Sequence, residues 1–309
     1  MPDTDDPDLP RGVALAWGVA ASPQRGPKRE MSVERIVEAA IDIADAEGLG
    51  AVSMAAVAAR LGFTPMSLYR YVSAKDDLIL LIQEEATGLP PEDARAGDWR
   101  DQLTALYRAQ LQGYLRHPWV LDIPISGSPN TPNSAAWMDA GLAAMAQTPL
   151  THEERLAVLL LVTGQARWCG AIVAVYARVQ RETGEGEDSI AAREDAMYRE
   201  LITADGYPAL REAIDAGVFL AEGDPFGFGF ARSLDGVEAY IARAAAGHHD
   251  DARPWVELED AAVLEDKKYR DAQRAVRDAE RALRAAQKLR RQALREAGER
   301  LARRRGETT

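Results

Sequence analysis

Four side chains between residues 69 and 75 have the chemistry to bind an anionic surface: Tyr69, Arg70, Tyr71 and Lys75. A tyrosine hydroxyl can donate a hydrogen bond to a phosphate while its ring packs on a sugar or a thymine methyl group. An arginine guanidinium can donate two hydrogen bonds at once to a phosphate or a guanine. A helix beginning near Lys75 would add free backbone N–H groups, which also attract phosphate. This combination favours DNA as the partner.

Taken singly, either tyrosine could instead pack between helices. A solvated helix surface, however, would normally carry Lys, Glu or Gln in these positions. Leu68 and Val72 lie four residues apart and are expected to face inward together. The other residues of the segment then face outward or sideways. They are Pro65, Met66, Ser67, Tyr69, Arg70 and Tyr71.

Residues 53–72, SMAAVAARLGFTPMSLYRYV, predict two helices joined by a tight turn. Ala58 supplies the small residue that a close helix crossing needs, and Gly62 suits a turn with positive φ. Ser53 and Thr64 are expected to cap the two helices, and Pro65 suits a first helical position. The sequence therefore predicts a helix-turn-helix. Five apolar side chains would lock its two helices together: Val57, Leu61, Phe63, Leu68 and Val72.

Helical patterns continue on both sides of this pair. Ser32 and Gly48 bound an amphipathic helix before it, and a capping box of Ser73 and Asp76 predicts that the next helix begins at Ser73. Since no alternating pattern of convincing length predicts a strand, the expected fold class is all-α. The later helical patterns cover residues 99–116, 131–147, 151–182, 188–203 and 227–246.

These residues resemble the TetR/AcrR family of transcriptional regulators. The resemblance is close over residues 28–86, which contain the run LYRYVSAKDDL. Residues 226–243, FGFGFARSLDGVEAYIAR, resemble the last helix of the family branch with a tetracycline-repressor-like C-terminal domain. The stretch LLLVTGQARWCGAI (159–172) is similar in position before it. The resemblance covers about residues 11–247.

The resemblance implies an N-terminal three-helix helix-turn-helix DNA-binding module and a larger helical domain for ligand binding and dimerisation. It implies a homodimeric repressor that binds a palindromic double-stranded DNA operator and leaves it when a small-molecule effector enters the larger domain. Tyr69, Tyr71 and Lys75 stand where the family contacts the sugar-phosphate backbone, and Ser67 stands where a side chain can reach a base. Ser53 and Thr64 stand where caps or phosphate contacts are expected.

The sequence departs from the family at positions that often carry polar base-reading side chains. It has Ala55 and Pro65 there, followed by Met66, and none of these side chains can hydrogen-bond a base edge. Base readout then rests on Ser67, Arg70 and apolar contacts with thymine methyl groups. We expect discrimination at the low end of the roughly 1–3 kcal/mol that a good bidentate pair gives.

Three basic residues, Arg25, Lys28 and Arg29, lie just before the first helix of the module. Lys28 and Arg29 could follow the DNA backbone or enter an adjacent minor groove. An ordinary solvated arm explains them equally well.

Aromatic and methionine side chains of the larger domain are candidates for an apolar effector pocket, although each one alone is more simply explained as core. The candidates are Trp119, Trp137, Met138, Met145, Trp168, Tyr176 and Tyr198. Gln165 and Arg167 join them because they interrupt an apolar helix and need a partner or a cavity. The expected partner of this pair is an internal Asp or Glu, and the alternative is a polar or anionic effector.

The helices predicted over 151–182 and 227–246 are long and apolar. The resemblance implies that two such helices from each subunit form the dimer interface. Gly164, Ala166 and Gly170 would let another helix approach closely. A helix buried at the centre of a monomer would show the same apolar pattern.

Composition argues against several other classes of protein. The only cysteine, Cys169, permits neither a disulfide framework nor a cysteine-based zinc site, which fits the reducing cytoplasm. No secretory signal is recognised, and Gln165 and Arg167 interrupt the longest apolar stretch, which predicts a buried core helix rather than a membrane span. His248 and His249 have no third ligand at helical spacing, so neither a metal nor a cofactor is expected.

Charge is unevenly distributed along the 309 residues, whose net charge is −12. Residues 267–305 carry a charge of +10 and residues 1–266 a charge of −21. The expected domains are a flexible arm (1–27), the DNA-binding module (28–88), the larger domain (95–250) and a basic helical tail (251–309).

The tail is predicted to be one helix from about 256 to 305, because this region contains no proline and a single glycine. Its apolar residues form a weak heptad repeat from Tyr269 to Ala286 that slips afterwards. Three roles stay open for it. It could be a solvated helix, a coiled pairing or a source of non-specific DNA affinity through counterion release.

We therefore expect a cytoplasmic, non-enzymatic DNA-binding regulator whose partners are an operator, a small-molecule effector and a second copy of itself. One alternative is a helical small-molecule-binding or enzymatic protein in which the helix-turn-helix is only structural. No nucleophile–base pair, phosphate loop or metal cluster in the sequence supports an enzyme. Another alternative is a transcriptional activator.

Overall fold

The computed structural model describes residues 9–19, 31–125, 127, 130–250 and 259–306. Every regular element in these ranges is helical, which confirms the predicted all-α class. The chain divides into two compact units, one ending at His249 and the other beginning at Asp250.

The first unit contains eleven α-helices within its described residues. They are α1 (Arg11–Ala16), α2 (Val33–Glu47), α3 (Met54–Leu61), α4 (Pro65–Leu68), α5 (Lys75–Thr87), α6 (Trp99–Arg116), α7 (Pro132–Ala144), α8 (His152–Thr183), α9 (Glu187–Leu201), α10 (Pro208–Asp215) and α11 (Pro225–Ala245). The second unit contains α12 (Ala261–Glu265) and α13 (Lys267–Gly306).

Helices α2 to α5 enclose the first hydrophobic core. Ser32 accepts a hydrogen bond from Arg35 N at the start of α2, and Gly48 ends that helix with φ 85°. Gly62 ends α3 in the left-handed conformation with φ 77°, which is the turn that the sequence predicts. The largest side chains of this core that are fully buried are Ile36, Val52, Val57, Leu68, Val72, Leu78 and Ile82.

Helix α5 has its N-cap one residue later than the capping box predicts. Its N-cap is Ala74, which has no side chain able to accept a hydrogen bond, so Ser73 and Asp76 do not form the expected box. The neighbouring carboxylate, Asp77, instead accepts a hydrogen bond from Gly12 N at 2.9 Å. A contact with a distant segment thus accompanies the altered helix start.

Helix α1 lies within the segment that the sequence assigns to a flexible arm. It packs on α5, with Val13 buried and Trp17 Nε1 donating to Asn130 O at 2.8 Å. A side chain at Gly12 would meet Asp77, since a Cβ there would lie 2.8 Å from Oδ1 and 3.1 Å from Cα. Residues 11–16 of the predicted flexible arm therefore form a helix that packs on α5.

Helices α6, α7, α8 and α11 surround the second core. Leu103, Met145, Val162 and Leu234 are fully buried in it, and the ring of Tyr107 stacks on that of Phe230 with centroids 4.0 Å apart. Helix α8 is long and apolar enough to cross a membrane by length and composition alone, with a third of its most apolar window buried inside the fold. It packs against α6 and α7. One of its apolar faces is therefore buried in the second core, and the other is exposed.

The pair α9 and α10 is held by a cluster of charged groups. Arg199 of α9 donates to Ile214 O at 2.7 Å and lies 3.5 Å from Asp215, and Arg211 of α10 donates to Arg199 O at 2.9 Å. Helix α10 is absent from the predicted helices because it has only eight residues and one fully buried side chain, Ile214.

The basic tail differs from the single helix expected for it. An extended residue, Asp266, separates α12 from α13, and its carboxylate caps α13 by accepting from Tyr269 N at 2.8 Å. Helix α13 has 40 residues and is about 60 Å long at 1.5 Å per residue. Residues 256–258 of the predicted helix lie outside the described part.

Candidate nucleic-acid interface and adjoining cavity

The candidate DNA-facing segment is held in place by two buried anchors. Regular helix α4 ends at Leu68, and Tyr69, Arg70 and Tyr71 follow in a further helical turn closed by Val72 N donating to Leu68 O at 3.0 Å. Leu68 and Val72 are both 0% exposed. The inward positions that the sequence predicts are therefore occupied as expected, and the intervening residues are presented at the surface.

Most of the predicted contact residues are exposed. Met66 is 73% and Tyr69 is 44% exposed, and Pro65, Arg70 and Lys75 are also exposed. Neither Arg70 nor Lys75 forms an ion pair with any residue in the described ranges. Two unpaired cations, a phenol and an apolar patch thus share one surface.

Tyr71 differs from Tyr69. Its side chain is half-buried and packs against the first core. For Tyr71 the alternative of packing between helices therefore holds in part. Of the two tyrosines, only Tyr69 is exposed.

The predicted serine and threonine residues have local hydrogen bonds. The hydroxyl groups of Thr64 and Ser67 lie 2.9 Å apart and share a hydrogen bond. Thr64 occupies the N-cap position of α4, but its side chain accepts no backbone N–H. Ser53 Oγ accepts from Ala56 N at 3.1 Å and so acts as the cap of α3.

The N-terminus of α5 lies beside this surface without a side-chain cap. Its first N–H groups, at and after Lys75, therefore lack the acceptor that a serine or aspartate cap would give them. The helix dipole places partial positive charge at the same point. Lys28 and Arg29, the other predicted contact residues, lie outside the described residues.

A cavity of about 240 Å³ lies between α5, α6, α7 and α8. Its wall is mainly apolar, with a small number of polar groups. The lining residues are Gln83, Ala86, Thr87, Ala109, Gln110, Gly113, Tyr114, Val120, Ser134, Trp137, Met138, Leu156, Leu159, Leu160, Thr163 and Arg167.

Arg167 lines the cavity, but its partners differ from those expected. Its guanidinium donates to Leu121 O at 2.9 Å and to Ile123 O at 2.8 Å, so backbone carbonyl groups replace the predicted acidic residue. Gln165 lies on another face of α8, where its Oε1 is 3.4 Å from Ser233 Oγ.

Three of the nine predicted ligand residues, Trp137, Met138 and Arg167, line the cavity. Among the others, Trp119 and Met145 are buried in the two cores, and Trp168 is 59% exposed. Tyr176 donates to Glu194, and Tyr198 stacks on Phe219.

Polar residues of α5 and α6 were missed as cavity residues. Gln83 and Thr87 are four residues apart on α5, and Gln110 and Tyr114 are four apart on α6, which places each pair on one helix face. Gln110 Oε1 is buried and has no hydrogen-bond partner among the described residues. Burial raises the pKa of Tyr114, and the nearby Arg167 opposes this rise. Both helices carry many other polar side chains, so the four-residue spacing alone does not single out these residues.

Helix α5 connects the candidate interface with the cavity. It begins at Lys75 beside α4, and its last turns supply Gln83, Ala86 and Thr87 to the cavity wall. Its C-terminal half is fixed to α7 by three hydrogen bonds: Asn133 N to Glu84 Oε1 (2.6 Å), Asn133 Nδ2 to Glu84 O (2.9 Å) and Trp137 Nε1 to Gly88 O (2.9 Å). One continuous helix therefore joins the cavity wall to the candidate interface.

A second connection runs from α2 to the segment after α6. Asp45 Oδ1 accepts from Trp119 Nε1 at 2.6 Å and lies 2.8 Å from His117 Nδ1. Trp119 is 3% exposed and belongs to the first core, although it lies far along the chain from α2. The helix-turn-helix is thus attached to the larger helical part at two separate places.

Comparison with known proteins identifies both helical parts. The family model of bacterial regulatory proteins of the tetR family matches residues 36–82, and that of the tetracyclin repressor-like C-terminal domain matches residues 90–241. Among characterised relatives, the HTH-type transcriptional repressor DrrR1 of Streptomyces coeruleorubidus is 33% identical over 238 residues, which cover 76% of this chain and 88% of that protein.

One further relative agrees with this match, and a solved structure has the same fold. An HTH-type transcriptional regulator of Saccharopolyspora erythraea is 30% identical over 218 residues, covering 70% of this chain and 86% of that protein. The crystal structure of a TetR family transcriptional regulator from Streptomyces coelicolor A3(2) superimposes with a TM-score of 0.53 at 22% identity, covering 68% of this chain and 100% of that chain, which shows the fold.

Proposed function

The chain belongs to the TetR family of DNA-binding transcriptional regulators, and we propose that it is a homodimeric repressor released from its operator by a small apolar effector. Family membership confirms the prediction of a regulator rather than an enzyme. The observation that carries the finer proposal is α5, one helix that has its N-terminus at the DNA-facing surface and its last turns in the cavity wall.

We propose that residues 28–88 form the DNA-binding domain and residues 95–250 the effector-binding and dimerisation domain of a cytoplasmic protein. Tyr69 and Lys75 would donate to phosphate oxygens, joined by the uncapped N–H groups at the start of α5. Arg70 would fork onto a phosphate or a guanine. The exposed methyl group of Met66 would contact thymine methyl groups, so A·T base pairs in each operator half-site would suit this surface.

The cavity sets the chemistry of the proposed effector. Its wall offers aromatic and aliphatic contacts from Trp137, Met138 and Leu159. Gln110 Oε1 is a buried acceptor with no hydrogen-bond partner among the described residues, whereas Thr87 and Thr163 donate to backbone carbonyl groups of their own helices. We therefore expect a compact apolar molecule with one hydroxyl or amine group that donates to Gln110.

Release would follow from displacement of α5. An effector filling the space beside Ala86 and Thr87 would move the last turns of α5, and the helix would carry this movement to Lys75. In a dimer, the two recognition segments, each made of α4 and the turn that follows it, must match two half-sites at a fixed spacing. A small rotation of either module would therefore weaken operator binding.

Dimerisation is proposed through the exposed face of α8 and α11. Leu161 is 41%, Trp168 is 59% and Val175 is 47% exposed, and these residues recur every seven positions along α8. Phe226 of α11 contacts the edge of Trp168 with ring centroids 5.2 Å apart, and Phe228 nearby is 65% exposed. Gly170, by contrast, faces Tyr114 of α6, so it serves packing within the subunit.

The proposal is tested by DNA binding with a matched pair of variants. Duplexes that tile the DNA upstream of the protein's own gene are titrated with wild type, Arg70→Ala and Arg116→Ala, and fluorescence anisotropy is recorded. Both arginines are exposed and have no ion pair among the described residues. We expect Arg70→Ala to weaken binding at least about tenfold and Arg116→Ala to leave it unchanged. Equal affinities for all three proteins, with folding verified by circular dichroism, would contradict the proposed interface.

A further inference from the structure

A line of basic side chains runs along one face of α13. Its members alternate in spacing between four and three residues, which keeps them on one side of an α-helix. All of them are exposed. This basic line consists of Arg270, Arg274, Arg277, Arg281, Arg284, Lys288 and Arg291. It extends for about 32 Å at 1.5 Å per residue.

Acidic neighbours neutralise the basic line only in part. Arg281 lies 3.3 Å from Asp278, while Arg274 and Arg284 lie 3.8 and 3.7 Å from Asp271 and Glu280. All of these partners are well exposed, and pairs of this kind contribute little. Arg277, Lys288 and Arg291 form no ion pair with any residue that the structure describes. The line therefore retains an excess of positive charge.

The opposite face of α13 is a poor membrane anchor. Its larger apolar side chains, Val276, Leu283, Leu289, Leu294 and Leu301, are between 56% and 68% exposed, and the apolar residues between them are alanine. An interfacial helix needs a broad face of large apolar or aromatic side chains, and alanine buries little area. A soluble polyanion suits α13 better than a lipid surface.

We propose that the basic line of α13 binds the sugar-phosphate backbone of duplex DNA, in addition to the contacts made by α4 and α5. Duplex DNA presents about one negative charge per 1.7 Å of its axis, so a 32 Å line of cations meets phosphate along its whole length. Arginine suits this role because its guanidinium donates two hydrogen bonds to one phosphate. Helix α13 lies outside the residues matched by either family model.

The interaction would supply affinity without sequence preference. A straight helix that touches only phosphates carries no base readout, and counterion release makes such binding steeply dependent on salt. Since α4 offers few polar base-reading groups, non-specific affinity from α13 would raise the local concentration of DNA for the module. This role rests on the proposed DNA-binding function.

Two triple variants of the full chain test the proposal. R277Q/K288Q/R291Q removes three charges from the basic line. K268Q/R290Q/R300Q removes three charges from the opposite side of α13, by the 100° rotation per residue, and serves as the matched control. Glutamine is a good helix former, so both variants should keep α13 helical, which circular dichroism verifies.

The probe is a random-sequence 40-bp duplex, titrated from low to high KCl. We expect the basic-line variant to bind at least about tenfold more weakly at low salt, and its plot of log K against log salt to become less steep by about 0.9 for each lost phosphate contact. The control should stay within about twofold of wild type. Equal losses in both variants, or wild-type binding by the basic-line variant, would overturn the proposal.

Two further binding measurements distinguish failure of this inference from failure of the proposed repressor function. Wild-type protein that binds phosphatidylserine vesicles through the basic line but leaves the duplex unbound would also overturn it. The affinity for the upstream duplexes in excess of that for the random duplex reports on the module. If wild type binds them no more tightly than the random duplex while the basic line retains its effect, the repressor proposal fails and the inference about α13 stands.

Discussion

The helix-turn-helix module and the larger helical part of the first unit are packed in opposite ways. In the module, Leu68, Val72 and Leu78 are 0% exposed, and the groups with DNA-binding chemistry lie outside this core. Helices of the larger part, together with the last turns of α5, line a cavity of about 240 Å³. There the apolar side chains of Leu160 and Phe228 are 62% and 65% exposed.

This difference matches the partners proposed for each region. Phosphates on a duplex have fixed spacing, so the side chains that meet them need a rigid support. An effector instead needs a cavity to enter. A second subunit needs apolar surface that the isolated chain leaves exposed. A closed core thus supports the DNA-facing surface, and an open one leaves room for regulation.

The largest expected effect tests whether the module is closed. Leu68→Ala should lower the free energy of unfolding by about 2–5 kcal/mol and abolish DNA binding, because it leaves a cavity under the recognition segment. Met66→Ala, two residues away at 73% exposure, should change stability by less than about 0.5 kcal/mol. Urea unfolding measures both. Similar small losses for the two variants would show that the module is loosely packed.

The closed module was also the region best predicted from the sequence. Its signals are local: Ser32 and Ser53 cap helices, Gly48 and Gly62 end them, and each stands within a few residues of the element it defines. The fold class and the helix-turn-helix follow from such signals and are confirmed.

Predictions failed where a distant segment decides the outcome. At the start of α5, where Ala74 rather than Ser73 is the N-cap, the carboxylate of Asp77 accepts a hydrogen bond from Gly12, 65 residues away in sequence. The partners of Arg167 are carbonyl groups 44 and 46 residues away, and backbone atoms carry no sequence signature. The cavity wall is assembled from four helices, so only part of it was predicted.

The second largest effect concerns the open surface. Trp168→Glu should weaken the proposed dimer at least a hundredfold, because it places a charge in the centre of a buried apolar contact. Leu201→Glu is the matched control, since Leu201 is 63% exposed on α9, outside the proposed interface. Sedimentation velocity gives the oligomeric state. Dimers that survive Trp168→Glu but not Leu201→Glu would move the interface away from α8.

A smaller effect is expected inside the cavity. Gln110→Leu should raise the free energy of unfolding by up to about 1 kcal/mol, because it removes a buried acceptor that has no partner in the described residues. Gln112→Leu changes an exposed side chain of the same helix and should leave stability nearly unchanged. Thermal unfolding distinguishes them. A loss of stability in Gln110→Leu would mean that this amide has a structural partner.

The smallest effect concerns the polar contact that fixes the N-terminus of α8 to the end of α11. Burial raises the pKa of Glu154, but hydrogen bonds from Tyr240, His249 and Thr151 N outweigh it and lower this pKa to about 2. A carboxylate with a lowered pKa stabilises the fold above its unfolded value of about 4.3. This contribution is lost as the pH falls towards 2.

Glu154→Gln should therefore lower stability by about 1 kcal/mol at pH 7 and by progressively less below pH 4, since the partly solvated carboxylate becomes neutral in both folded and unfolded protein. Glu153→Gln, exposed in the same turn, provides the control at every pH. Unfolding by urea across this pH range measures the difference. A difference that persists unchanged at pH 2 would show that the charge of Glu154 does not stabilise the contact between the ends of α8 and α11.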